Sequence, residues 1–247
     1  MWLKANPYEV IAIMMGNDDR VAPTEYIKPF QHAGLIPFIY VPPYKTMTLD
    51  QWPKLSDMIL QNKRVVVTLD YNANQSAIPW LLDEFAYQWQ TPFSPTNTAF
   101  PCTVERPANQ SVAVSRNKMY MVNHNLNIRL PASTSSFLNT KEPILLPGRT
   151  YFQRVNAVDG YGSLGRSVDN CTALWGRPPN WLLVDYYNHG NFGGSVFQVA
   201  ATANNVSYNR TSCCGVEKKK KNSATDGKTP GSGVLLFVQL SVFWLIF

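Results

Sequence analysis

The sequence is poor in charge, cysteine and histidine, and each shortage removes a class of protein. Charged residues make up 15% of its 247 residues, too few for a disordered acidic chain or a coiled coil. The net charge is +6, yet Lys218, Lys219, Lys220 and Lys221 form one run whose removal leaves +2. With no basic face interleaved with aromatics elsewhere, nucleic acid is not an expected partner. The four cysteines, Cys102, Cys171, Cys213 and Cys214, lack the paired C-x-x-C spacing of a zinc site. No apolar run reaches the roughly 20 residues that a bilayer-spanning helix needs. The first residues, Met1 to Pro7, have no basic start, apolar run or small-residue cleavage site, so they do not form a signal peptide.

What is present points to a globular protein of the secretory route. Hydrophobic residues make up 45% and aromatics 13%, and the length suits a single α/β barrel domain. Asn-x-Ser/Thr acceptor sites occur at Asn74, Asn109, Asn170, Asn205 and Asn209, where chance gives roughly two or three. The even cysteine set predicts disulfides. Bonding the adjacent Cys213 and Cys214 to each other strains the bridge, so each is expected to pair with a distant partner. The last 14 residues, Val234 to Phe247, are apolar except for Gln239 and Ser241. With Asn222-Ser223-Ala224 as cleavage triplet and Thr225 to Gly233 as spacer, they match a glycolipid-anchor signal at Asn222. The expected division is a barrel domain over 1–214, a Lys/Gly/Ser-rich linker over 215–233 and a hydrophobic tail over 234–247. The product is expected at the cell surface, membrane-anchored. An exit signal without an entry signal leaves two readings: the start of the chain has been lost, or the tail is not an anchor signal.

Runs that are apolar throughout belong to parallel strands buried on both faces. Such runs span Tyr8 to Met15, Arg64 to Tyr71, Met119 to Val122 and Trp181 to Tyr187, with Ile36 to Val41 as a fifth. Helical stretches are expected over Thr24 to Ala33, stopped by Gly34, over Leu49 to Asn62, opened by Thr48, and over Pro79 to Trp89. Alternation of this kind indicates parallel βαβ units. Polar clusters end the runs: Asn17-Asp18-Asp19, Asp70-Tyr71-Asn72, Asn123-His124-Asn125 and Asp185-Tyr186-Tyr187-Asn188. In a barrel, such ends converge on the mouth where chemistry is placed. Four or five strands do not close an eight-stranded barrel, so the expected fold is a TIM-barrel type lacking its first strands.

Several runs together resemble one family. They are Asn6-Pro7-Tyr8-Glu9-Val10, Val67-Thr68-Leu69-Asp70-Tyr71-Asn72-Ala73, Asp83-Glu84-Phe85, Pro101-Cys102-Thr103-Val104, Met119 to Asn127, and Trp175 to Tyr187. From about Leu3 to Cys214 the chain resembles the fungal phospholipase C-like phosphodiesterases, within the phosphatidylinositol-specific phospholipase C-like superfamily. The resemblance implies a TIM barrel that cleaves a phosphodiester or phospholipid with two histidines. One imidazole deprotonates the attacking hydroxyl and the other protonates the departing alkoxide. The family places them in a Gly-Thr-His-Asp-type and a Leu-Cys-His-type run, and neither run occurs in this sequence.

Three histidines are present. His32 ends a helix and is a surface or capping residue. His189 lies in the loop after the last strand, within reach of a ligand. His124 ends a strand and is the catalytic candidate, against a structural histidine bonded to Asn123 or Asn125. By resemblance, Asp185 orients the first family histidine as a buried carboxylate does in a triad. Asp70 completes the catalytic candidates, with Asn72 and Tyr187 for substrate binding. Arg177 precedes the last strand and is expected on the opposite, stabilising face. The run Gly160-Tyr161-Gly162-Ser163-Leu164-Gly165 has dinucleotide-fingerprint spacing but follows no strand. No cofactor or metal is expected; calcium stays open, although these carboxylates lack a ligand spacing. Two functions compete with non-folding of a fragment exposing parallel edges. One is the family's phosphodiesterase activity, with this chain inactive for want of both histidines. The other is a non-catalytic, anchored surface glycoprotein used for binding or structure.

Overall fold

Parallel pairing between doubly buried strands organises the chain, as its uninterrupted apolar runs require. The computed structural model describes residues 2–131 and 143–209. Cys213, Cys214, the linker, the tail and Asn222 lie outside the described residues. In chain order, the first half contains α1 (Trp2–Ala5), β1 (Ile11–Met15), α2 (Ile27–His32), α3 (Leu55–Leu60) and β2 (Val65–Leu69). Next come β3 (Leu82–Asp83), α4 (Glu84–Tyr87), β4 (Gln88–Gln90), α5 (Val112–Arg116) and β5 (Met119–Asn123). A hairpin of β6 (Asn127–Leu130) and β7 (Ile144–Pro147) precedes α6 (Phe152–Val155), α7 (Leu164–Trp175), β8 (Trp181–Leu183) and α8 (Ser195–Ala203).

The parallel strands form two three-stranded sheets, in the orders β1-β2-β3 and β4-β5-β8. The segment β3–α4–β4 contributes to both. Every residue of β2 and β5 is buried, whereas β1, at an edge, is half-buried along its length. Alternate residues serve opposite faces. Val65, Val67 and Leu69 pack with Phe30, Ile78 and Leu81, while Val66 packs with Leu82 and Tyr87. In the second sheet, Trp89, Tyr120, Val122 and Leu182 pack against α7 and α8. Met119, Met121 and Trp181 turn the other way and meet Ala12 and Met14 of β1. The inner faces of the two sheets therefore share one interior. Truncating Leu82, fully buried there, costs about 2–5 kcal/mol.

The outer layer of the second sheet is fixed by aromatics and one covalent bridge. Trp89 stacks on Tyr120 at 4.6 Å and tilts against Trp175 at 4.6 Å. Both indole N–H groups donate to carbonyls, of Ser115 and Cys102, so burying the rings leaves no donor unpaired. Cys102 pairs with Cys171 across 69 residues. This corrects the expectation that Cys213 and Cys214 each take a distant partner. Burial decides the pairing, because Cys171 faces inward on α7 beside the loop that follows β4. Gly165 opens α7 where an added Cβ would lie 1.8 Å from the Val158 carbonyl oxygen. The glycine run at 160–165 thus serves a close turn-to-helix approach, with Ser163 capping α7. Among the described residues no helix is long and apolar enough to cross a membrane.

Three elements before residue 91 depart from the sequence expectations. Residues 79–89 are not one helix: β3 and β4 flank the single turn α4, because Gln88 and Gln90 point inward while Trp89 packs outward. Ile36–Phe38 is a 3-10 turn with proline in its first positions, leaving a single bridge from Ile39 to Val65. The helix opened by the Thr48 capping box stops at Trp52, before Pro53, and restarts as α3. As for the whole fold, the described residues form a mixed α/β structure with parallel sheets, and no closed barrel is present among them.

Candidate functional site

At the C-terminal ends of β2, β4 and β5, polar side chains replace the apolar ones that fill the strands. Asp70 follows β2, and its N–H reaches the Met15 carbonyl at 3.1 Å, extending the β1–β2 ladder. Its Oδ1 accepts the Asn17 N–H at 2.6 Å, and its Oδ2 accepts from Arg106 Nη2 at 2.9 Å. The two side chains of this ion pair are 10% and 13% exposed. Arg106 also donates through Nη1 to Gln90 Oε1 at 3.1 Å. Its guanidinium is flanked by Phe93, Phe85 and Tyr71, 4.4, 5.0 and 5.2 Å from their ring centroids. Burial lowers this guanidinium's pKa, and the hydrogen bonds and charges of Asp70 and Tyr71 together more than offset it, leaving it raised. Arg20 lies over Tyr71 at 4.2 Å.

Behind Arg106 the network continues inward. Gln90 Nε2 donates to Glu84 Oε1, and Asn123 Nδ2 donates to Gln90 Oε1 at 3.2 Å and to the Thr91 carbonyl at 2.8 Å. Glu84 is 2% exposed. Desolvation raises its carboxyl pKa, opposed by hydrogen bonds from Gln88 and Gln90 and by the charge of Arg106. Asn17 fastens the loop above: its amide donates to the Val21 and Tyr71 carbonyls at 3.0 Å, and its Oδ1 accepts from Val21 N–H and the Tyr26 hydroxyl. Asn72 sits here in the left-handed region, φ 64°, its amide 3.4 Å from the Val21 carbonyl.

Asp185 and His124 are brought together elsewhere. Both line a cavity of about 10 Å³, with Asn125, Phe152, Val155, Asn156 and Tyr186 among its other walls. That space is about what one water needs. His124 is fully buried, its Nε2 donating to the Val155 carbonyl at 3.0 Å and its ring 3.8 Å from Phe100. Burial pushes its pKa down to about 3, against the Val155 and Gly162 carbonyls. The ring thus bonds across to the end of α6 rather than to Asn123 or Asn125. The strand expected over Trp181 to Tyr187 ends at Leu183. Asn156 Nδ2 instead takes the carbonyls of Asp185, Tyr186 and His189 at 2.8, 3.1 and 3.1 Å. That capture folds the backbone into a loop, with Tyr186 at φ 53°. His189 packs on Phe152 at 4.4 Å, and Tyr187 meets Phe197 edge-on at 6.1 Å while 40% exposed.

Sequence reasoning missed Arg106, Gln90, Glu84 and Asn156. Glu84 lay within a quoted family run, and Gln88 and Gln90 alternate around Trp89; that period was the signal available. Arg177 braces the other ends of the strands, donating to Asn180 Oδ1 and the Lys118 carbonyl beneath Tyr120. Among the described residues no group of three or more His, Cys, Asp or Glu is arranged to hold a metal ion.

An "Uncharacterized secreted protein" of Arthroderma benhamiae is 43% identical over 245 residues, covering 99% of this chain and 54% of the relative. A "PI-PLC X domain-containing protein 1" of the same organism is 35% identical over 191 residues, covering 77% of this chain and 58% of the relative. The chain thus spans a little over half the length of these relatives. No solved structure matches. The family model PI-PLC X 1 matches residues 1–203, and the chain belongs to the PI-PLC X domain family.

Proposed function

We propose that this chain recognises a phosphodiester, of the glycerophospholipid type, at the Arg106 end of its parallel sheets and does not hydrolyse it. In this reading the two sheets are one wall of a TIM-barrel-type site. The observation that carries it is the Arg106 network. A guanidinium held by Asp70, Gln90 and three ring faces is a pre-positioned cation with N–H groups left for phosphoryl oxygens. Hydrolysis also needs a proton acceptor and a proton donor, and the three histidines are engaged elsewhere. His124 is sealed against Val155, His189 is packed on Phe152 and His32 ends α2. Asn72 lies on the substrate side of this network, whereas Asp185, Tyr187 and His189 belong to the separate loop held by Asn156.

The secretory reading belongs to the same proposal. The side chains of Asn74, Asn109, Asn170, Asn205 and Asn209 are all exposed, as glycan acceptors must be, and the Cys102–Cys171 bridge suits an oxidising compartment. A lipid anchor at Asn222 would hold such a protein at the cell surface. The test is calorimetric titration with glycerophosphoinositol alongside a hydrolysis assay. Binding is expected to weaken about tenfold or more in Arg106→Gln, with hydrolysis at background throughout. Hydrolysis that disappears in Asp185→Ala would sink the non-catalytic reading, and unchanged binding by Arg106→Gln would sink the site assignment.

A further inference from the structure

We infer that the β6–β7 hairpin is a lipid-contacting surface that seats this site on an anionic phospholipid bilayer. The inference rests on the phosphodiester reading, for which it supplies the partner. Among the described residues the two strands of the hairpin pair with each other and join neither parallel sheet. Its antiparallel register sets Ile128 opposite Leu146 and Leu130 opposite Ile144, so four aliphatic side chains share one face. Ile128, Leu130 and Leu146 are 38%, 37% and 45% exposed. An isolated two-stranded ribbon is marginal in water, and an aliphatic face of this kind asks for an apolar cover.

Position and charge select the cover. The Asn127 N–H bonds the Pro95 carbonyl at 2.8 Å, and the Gly148 N–H bonds the Leu126 carbonyl at 2.6 Å. The hairpin base is thereby fixed between the loop after β4 and the end of β5, at the same strand ends as Asn123, Gln90 and Arg106. Over 127–131 and 143–161, Arg129, Arg149 and Arg154 are exposed, against one acid, Asp159. In the segment that follows it, Tyr151 and Tyr161 are 46% and 68% exposed. Aliphatics flanked by arginines and tyrosines complement acyl chains beneath an anionic headgroup layer, where amphipathic rings concentrate.

The experiment is flotation of the full chain with phosphatidylcholine vesicles, with and without phosphatidylglycerol. Binding to the anionic vesicles is expected. It should fall about tenfold or more for each of Ile128→Asp and Leu146→Asp, and about fivefold for each of Arg129→Gln and Arg149→Gln. All variants keep 215–247, so any attachment through the lysine run or the tail is common to them. Glycerophosphoinositol binding should be unchanged in the hairpin variants. Equal flotation of wild type and the aspartate variants overturns the inference. So does a hairpin substitution that converts a dimer to a monomer while flotation persists. If Arg106→Gln alone abolishes soluble-ligand binding while hairpin variants float normally, the lipid surface is wrong and the site stands.

Discussion

Replacing Asp70 by asparagine tests whether charge holds Arg106 in place. The nitrogen and oxygen are 2.9 Å apart, and both side chains are nearly buried. At an effective dielectric constant of about 20, unit charges at that distance attract by about 6 kcal/mol. Desolvating the two groups cancels most of this. Asparagine keeps an oxygen for the Asn17 N–H but leaves the guanidinium facing a neutral amide. Removing one partner of a buried pair costs about 3–5 kcal/mol. Gln90 and the three rings still surround Arg106, so the low end, about 3 kcal/mol, is expected. Arg106→Gln should cost a similar amount by stranding the Asp70 carboxylate. The double variant should lose about 4 kcal/mol, a coupling of about 2. Urea unfolding followed by tryptophan fluorescence measures all four chains. Coupling below about 0.5 kcal/mol would mean that the rings and Gln90, not the ion pair, position the guanidinium.

Three further outcomes follow from burial. Loss of the Cys102–Cys171 bridge, which closes 69 residues, should destabilise the chain by about 4.4 kcal/mol on loop entropy; unfolding of Cys102→Ala/Cys171→Ala measures it, and a change under about 1 kcal/mol contradicts the estimate. The Glu84 carboxyl has its pKa raised, chiefly by desolvation. Its contribution is therefore complete below the unfolded-state value of about 4.3 and is lost as pH rises through the folded-state value. Glu84→Gln should be the more stable chain at neutral pH and lose that advantage near pH 4, as thermal melts across pH would show. His124, held down to about pKa 3 by burial, opposes folding in acid. Stability should fall as pH drops from about 6.5 toward 3, by up to about 5 kcal/mol. Carbon chemical shifts of its ring that titrate near 6.5 would contradict the sealed geometry.

How much of this was legible in the sequence depended on whether one period could be told from another. β2 and β5 were readable because both faces are buried, which leaves unbroken apolar runs. Residues 79–89 were not, because Leu81, Leu82, Tyr87 and Trp89 are all fully buried and satisfy a helical or a strand pattern equally. The polar cluster that ends the apolar run of β2 marked Asp70. No such cluster marked Arg106, which comes from a loop 36 residues farther on and is brought beside Asp70 by its backbone bridge to Gln90 at the end of β4. Asp185 was expected on a strand, but its backbone direction is set by Asn156, 29 residues earlier. No local pattern encodes that capture.

The disulfide has one more consequence, for the order in which the chain assembles. β5 and β8 pair across about 60 residues, as Tyr120 and Asn180 show, and the bridge from Cys102 to Cys171 spans the same crossover. With the bridge closed first, the path between those strands shortens to roughly 30 residues. Loop-closure entropy grows only with the logarithm of length, so this halving eases the search by about 0.6 kcal/mol. Oxidation therefore does little to speed the meeting of β5 and β8. Its effect falls on the unfolded chain, whose freedom it restricts, rather than on the search that brings these two strands together.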